Sequence, residues 1–151
     1  MKKSQFQEAQ TFLATVEGKK LLYGKKSPDM DLYDFGFGEY VEYANAIGKI
    51  TMKPKYVLHP SCRFKVFWRE KKIFDEFDEH TTSKDFELYI EKLIGSTVQR
   101  AVILRENELI IDFGCCYLRF YCHKNGIESW RYFIIKGTHL VASDRWLELE
   151  R

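Results

Sequence analysis

The chain contains no CxxC pair, no glycine-rich phosphate loop and no recognisable nucleophile motif. These absences weigh against a zinc ribbon, a nucleotide-binding loop and a motif-bearing hydrolase. No apolar run approaches the roughly 20 residues that cross a bilayer as a helix. Met1 to Gln10 has two lysines but no apolar signal-peptide core, so a cytoplasmic location and no membrane partner are expected. Charge of one sign is also scarce: 24 basic and 22 acidic residues leave +2. That near balance lacks the concentrated positive field of a general nucleic-acid binder, so nucleic acid is not an expected partner. The four cysteines, at 62, 115, 116 and 122, follow no regular spacing and read as reduced, mostly buried thiols.

What the chain has is apolar and aromatic content, 45% and 16%, beside 30% charged residues. At 151 residues this suits a single globular domain, residues 1–151, that buries about 70% of its unfolded surface. The stretch from Thr97 to Leu149 organises it as a run of short strands. Val98, Val102 and Leu104 share one parity, and Leu109, Ile111 and Phe113 another, as half-buried strands require. Glu106 and Asn107 form a hairpin loop between them, and Gly114 and Cys115 mark a second reversal. Leu118, Phe120 and Cys122 line the next strand, followed by Asn125 and Gly126. That dipeptide is the strongest turn signal, predicting a type I′ hairpin to the strand Trp130 to Ile135. Lys136 and Gly137 turn the chain into Thr138 to Ser143, and Trp146 to Leu149 closes the sheet.

Ser4 and Gln7 form a capping box, and Phe6, Ala9, Leu13 and Val16 make the apolar stripe of a helix ending at Gly18. A second helix runs from Ser83 to Gly95 with Phe86, Ile90, Leu93 and Ile94 inward. Both helices are expected to pack on the run 97–149. Strands are also expected at 19–24, within 32–43, at 47–58, at 62–68 and at 73–77. Gly36 and Gly38 suit a bulge or close backbone approach, and Pro54 predicts a sheet edge. The fold class is therefore α+β: a mainly antiparallel sheet, curled or in two layers, with two packing helices.

Three groups of residues could carry function. His59 and Cys62 are the nearest imidazole and thiol, but nothing in the sequence lowers the thiol pKa. With Cys122 and His123 they could make a tetrahedral zinc set. Cys122 and His123 are adjacent and point apart on a strand, so no metal and no catalytic residue is assigned. Trp130 and Arg131, with His139 returned beside them, offer anchors for an interface that Tyr117, Arg119 and Tyr121 could extend. The competing reading puts Trp130 and Tyr132 in the core with Arg131 lying over them. Asp29, Asp31 and Asp34 lack a calcium loop's glycine and terminal glutamate, and the acidic run Asp75 to Glu79 beside His80 reads as a solvated loop.

Leu58, His59, Cys62, Phe64 and Lys65, with the later Trp130, Arg131, His139, Leu140 and Val141, resemble a group of small uncharacterised bacterial proteins. Those proteins share a Leu-His-x-x-Cys segment, usually continued by Pro-Trp-Arg, and a late Trp-Arg pair. Here Arg63, Phe64 and Lys65 stand in place of Pro-Trp-Arg. The resemblance implies no activity or cofactor, but directs attention to His59, Cys62, Trp130 and Arg131 together. The expected function is a non-catalytic bacterial binding protein with a protein partner, of the immunity type that inhibits a toxin by covering it. The alternative is a small-ligand-binding protein or small enzyme whose pocket, on the concave face of the sheet, gathers His59, Cys62 and Arg131.

Overall fold

The computed structural model describes residues 3–27, 32–75 and 83–151. In chain order these form α1 (Lys3–Leu13), β1 (Leu21–Lys26), β2 (Tyr33–Ala44), β3 (Ile50–Pro60), β4 (Arg63–Trp68), β5 (Lys71–Asp75), α2 (Ser83–Glu91), β6 (Arg100–Ile103), β7 (Leu109–Asp112), β8 (Cys116–Tyr121), β9 (Trp130–Ile134), β10 (His139–Ala142) and β11 (Leu147–Glu150). The strands make two antiparallel sheets, six in the order β1-β2-β3-β9-β10-β11 and five in the order β5-β4-β8-β7-β6. The class is α+β, as the period-2 patterns require.

The sheets face each other across one core because each strand turns alternate side chains inward. Phe35 on β2 meets Phe64 on β4 at 6.0 Å and Phe120 on β8 at 5.9 Å, with edge-to-face ring geometry. All three rings are fully buried. Each such side chain contributes about 1.5–3 kcal/mol from burial. Helix α1 touches β6, β10 and β11, while α2 touches β1 and β5. Each helix therefore lies against an edge strand of both sheets and closes one open side of the sandwich. Phe12 of α1 packs on Tyr132, and Phe86 of α2 on Tyr33, Phe35, Phe64 and Phe74.

Edge strand β6 shows how the closure satisfies backbone polarity. The Gln10 side-chain amide donates to the Ala101 carbonyl at 2.8 Å and accepts from the Ile103 amide at 2.9 Å. The Glu17 carboxylate accepts from the Ala101 amide at 3.0 Å. Gln10 thus pairs with β6 as a neighbouring peptide group would, which removes a template for pairing with another chain.

Several expectations change. Asn125 and Gly126 do have the positive φ angles of 70° and 74° that their turn chemistry demands. The turn, however, carries the chain from β8 in one sheet to β9 in the other, so the expected β8–β9 hairpin does not form. Strand β3 lies inside its sheet, between β2 and β9. Its Pro54 is still tolerated, because β9 pairs only from Tyr56 to Pro60 and leaves that side of Ile50–Pro54 open. The bulge appears where three residues of β2 span two of β3, between Phe37 and Tyr40. Gly38 there has φ 88°. At Gly36 a Cβ would stand 2.6 Å from the Tyr23 ring, so the close approach needs glycine. Helix α2 packs on strands from the first half of the chain, not on the run 97–149, and Ile94 is exposed while Leu93 is buried.

Replacing Gln10 by alanine removes both bonds to β6. The expected outcome is a loss of about 1–3 kcal/mol in urea unfolding, with Gln10→Glu also destabilising because a carboxylate cannot donate to the Ala101 carbonyl.

Candidate functional site

Strand parity decides which predicted residues meet. On β3 and β9 the buried Leu58, Trp130 and Tyr132 point into the core, so His59, Arg131 and Phe133 point out. His59 stands opposite Arg131, and His139 opposite Phe133. These residues share the outer face of the six-stranded sheet.

A continuous row of contacts crosses this face. Tyr23 Oη donates to both Asp34 oxygens at 3.2 and 3.3 Å, and His59 Nε2 lies 3.0 Å from Asp34 Oδ1. The His59 ring meets Phe133 edge-on at 5.1 Å, and Phe133 stacks on His139 at 4.5 Å. Arg131 Nη1 donates to His139 Nδ1 at 2.9 Å and to Glu150 at 3.0 Å, while its Nη2 donates to Glu128 at 3.0 Å. The bond into Nδ1 makes that nitrogen an acceptor and leaves the imidazole proton on Nε2.

Charge and burial follow from these contacts. Partial burial and, second, the Arg131 charge push the His139 pKa below its ordinary value of 6.5. The Glu128 hydrogen bond raises that of Arg131, which stays charged between two carboxylates. Burial, with Asp34 beside it, raises the Tyr23 hydroxyl, keeping it protonated and a donor. Next to His59 a shallow depression of about 380 Å³ is lined by Lys25, Lys26, Ser27, Leu32, Tyr33 and Asp34.

Cys62 and Trp130 lie on the opposite side of this sheet, in the core. Cys62 is buried, and its amide donates to the Ser129 carbonyl at 3.1 Å. Trp130 is fully buried, and its indole N–H donates to the Asn107 carbonyl at 2.8 Å. His59, Cys62 and Arg131 therefore do not share a cavity, and the face behind His59 and Arg131 is filled by aromatic rings. Tyr117, Arg119 and Tyr121 do not extend the Arg131 surface, since β8 belongs to the other sheet. Burial raises the thiol pKa of Cys122 to about 11 and of Cys116 to about 12. Among the described residues no group of three or more His, Cys, Asp or Glu side chains is placed to hold a metal ion. Asp29, Asp31 and the acidic residues 76–79 with His80 lie outside the described residues.

A second exposed feature escaped the residue patterns. Strands β2 and β3 overrun their neighbours: β1 pairs with β2 only as far as Phe37, and β9 with β3 only from Tyr56. Among the described residues Tyr40–Ala44 and Ile50–Pro54 therefore pair only with each other, and the resulting hairpin arm projects from the sandwich. Its side chains Tyr40, Ile47, Ile50 and Met52 are 49%, 86%, 63% and 57% exposed. Four large apolar groups on one projecting arm are a concentration that isolated surface leucines do not make. The signal available in sequence was Asn45-Ala46-Ile47-Gly48, a turn carrying an isoleucine where a polar residue is usual.

No protein-family model, no curated protein and no solved structure matches this chain.

The lowered His139 pKa has a signed consequence. The folded protein binds this proton less readily than the unfolded chain, so the stability gained is full above the ordinary pKa and is lost as pH falls below it. By NMR titration His139 is expected to protonate below 6.5, and Arg131→Ala to move that midpoint upward. In His139→Gln, stability should fall less between pH 8 and pH 5 than in the unsubstituted protein.

Proposed function

We propose that this domain is a non-catalytic protein-binding module of the bacterial cytoplasm, of the immunity type that inhibits a toxin by covering it. The hairpin arm enters the partner. The observation carrying this reading is the arm itself, where Tyr40, Ile47, Ile50 and Met52 stand in solvent on a hairpin that neither β1 nor β9 covers. Exposed apolar groups of this size gain about 1.5–3 kcal/mol each at most when fully covered. A few of them near the centre of a contact can dominate binding.

The outer face of the six-stranded sheet supports the same reading in a different way. Its polar groups are already paired: Asp34 with His59 and Tyr23, and Arg131 with Glu128, Glu150 and His139. Such a face is held in one arrangement before a partner arrives, which lowers the ordering cost of association. Small size and the Leu-His-x-x-Cys and Trp-Arg resemblance motivate the bacterial assignment.

The test places a photo-crosslinking benzoylphenylalanine at Ile47, and at Leu88 on α2 as a control that is also exposed but lies away from the arm, in bacterial cells producing the protein. One discrete adduct with a second protein is expected at position 47 and none at 88. That adduct should vanish when Ile50 and Met52 are both changed to serine, with the melting temperature unchanged. No adduct, the same adducts at both positions, or an adduct with a second copy alone would contradict the proposal.

A further inference from the structure

We infer that the open side of β3, from Ile50 to Pro54, is a docking edge for an acidic, extended segment of a partner protein, which adds there as a further strand. The inference rests on the arm reading above and deepens it by naming the chemistry of what the arm holds.

The backbone sets the geometry. The last bond from the β9 side is Ile135 N to the Lys55 carbonyl, at 2.9 Å. Beyond it, Ile50–Pro54 has a strand on the β2 side only. A gap of five residues, about 16 Å at 3.2–3.4 Å per residue, continues the line that β9 would have followed. An extended peptide can fill such a gap by main-chain hydrogen bonds, with its side chains reading the flanking groups.

Those flanking groups are of one sign. Lys53 and Lys55 lie along β3, and Lys49 directly precedes it. Lys136, at the head of the β9–β10 turn, reaches across to the Tyr43 ring at 5.4 Å. The carboxylates Glu39 and Glu42 are on β2, and Glu39 pairs with Lys55 at 3.8 Å. In a chain of net charge +2 this is segregation: one edge of the arm is basic and the other acidic. Ile50 and Met52, both exposed, add apolar contact on the face of the strand opposite to Lys53.

The same features act against pairing between two copies. A two-fold axis at this edge would bring Lys49 and Lys53 of one copy against those of the other, and like charges opposite one another destabilise strand pairs. Pro54 removes one donor from the edge. A strand with glutamates in register reverses the sign of the charge term and leaves the apolar contacts unchanged.

The probe is a fluorescein-labelled decapeptide alternating glutamate with threonine and valine, read by anisotropy on the full chain and by amide hydrogen exchange of residues 50–53. Saturable binding is expected, with exchange slowed at least tenfold at the alternate amides of this stretch that face the open side. Lys49→Glu combined with Lys53→Glu should weaken binding at least tenfold at an unchanged melting temperature, and Lys49→Gln with Lys53→Gln should fall between. A peptide with lysine at every glutamate should not bind. Absent binding, binding without protection at 50–53, equal binding by the reversed-charge variant, or tighter binding of a thymidine decamer would overturn the inference. If the peptide fails while the photo-adduct at Ile47 persists, the acidic strand is wrong and the arm reading stands.

Discussion

Two sheets share a core here only because the chain crosses between them twice, and both crossings are tied at Ser129. The first crossing, Pro60 to Arg63, delivers the amides of Ser61 and Cys62 to the Ser129 carbonyl at 2.9 and 3.1 Å. The second, Tyr121 to Trp130, is held by the His123 amide donating to Ser129 Oγ at 2.8 Å and by His123 Nε2 at 2.8 Å from the Ser61 carbonyl. Ser129 is itself fully buried. Crossing segments cannot use a sheet ladder, so their polar groups need such partners or the core would hold orphaned donors. The Leu58-His59-x-x-Cys62 motif lies on this crossing: it turns His59 out on one sheet and brings Cys62 in at the start of the other.

A second clasp joins the sheets at Asn107. Its carbonyl accepts from the Trp130 indole, and its side-chain amide donates to the carbonyls of Ser143 and Trp146, at 2.9 and 3.1 Å. The β6–β7 turn of one sheet is thereby fixed to the β10–β11 turn of the other. With the core closed by these clasps and by the two helices, apolar exposure concentrates where β2 and β3 overrun their neighbours. The arm and the paired outer face follow from strand lengths and parity.

Much of this was legible in the residues, and what was not has a physical cause. The hairpins β6–β7, β7–β8 and β9–β10 could be read because period-2 patterns and turn residues are local, but on β6 the buried residues are Ala101 and Ile103, and the expected Val102 and Leu104 lie on the outer face. The opposition of Trp130 and Arg131 was legible too, since adjacent strand residues face opposite ways. The sheet to which β9 belongs was not: Asn125 and Gly126 dictate their own backbone angles, whereas pairing is decided by burial of Trp130 and Tyr132 against residues far away in sequence. The arm was hidden because an overhang depends on where β1 and β9 stop, which β2 and β3 do not encode. Cys62 and Trp130 were grouped with His59 and Arg131 by chemistry, and strand parity together with the first crossing separates them.

The most direct measurement of the clasped two-sheet arrangement is a set of through-space NMR contacts from the Trp130 indole and the Phe120 ring. The structure requires contacts from the Trp130 indole proton to Asn107 and from Phe120 to Phe35, with that indole proton exchanging far more slowly than that of the exposed Trp68. Contacts between the backbones of β8 and β9 across an Asn125-Gly126 hairpin, with Trp130 exchanging as fast as Trp68, would contradict it.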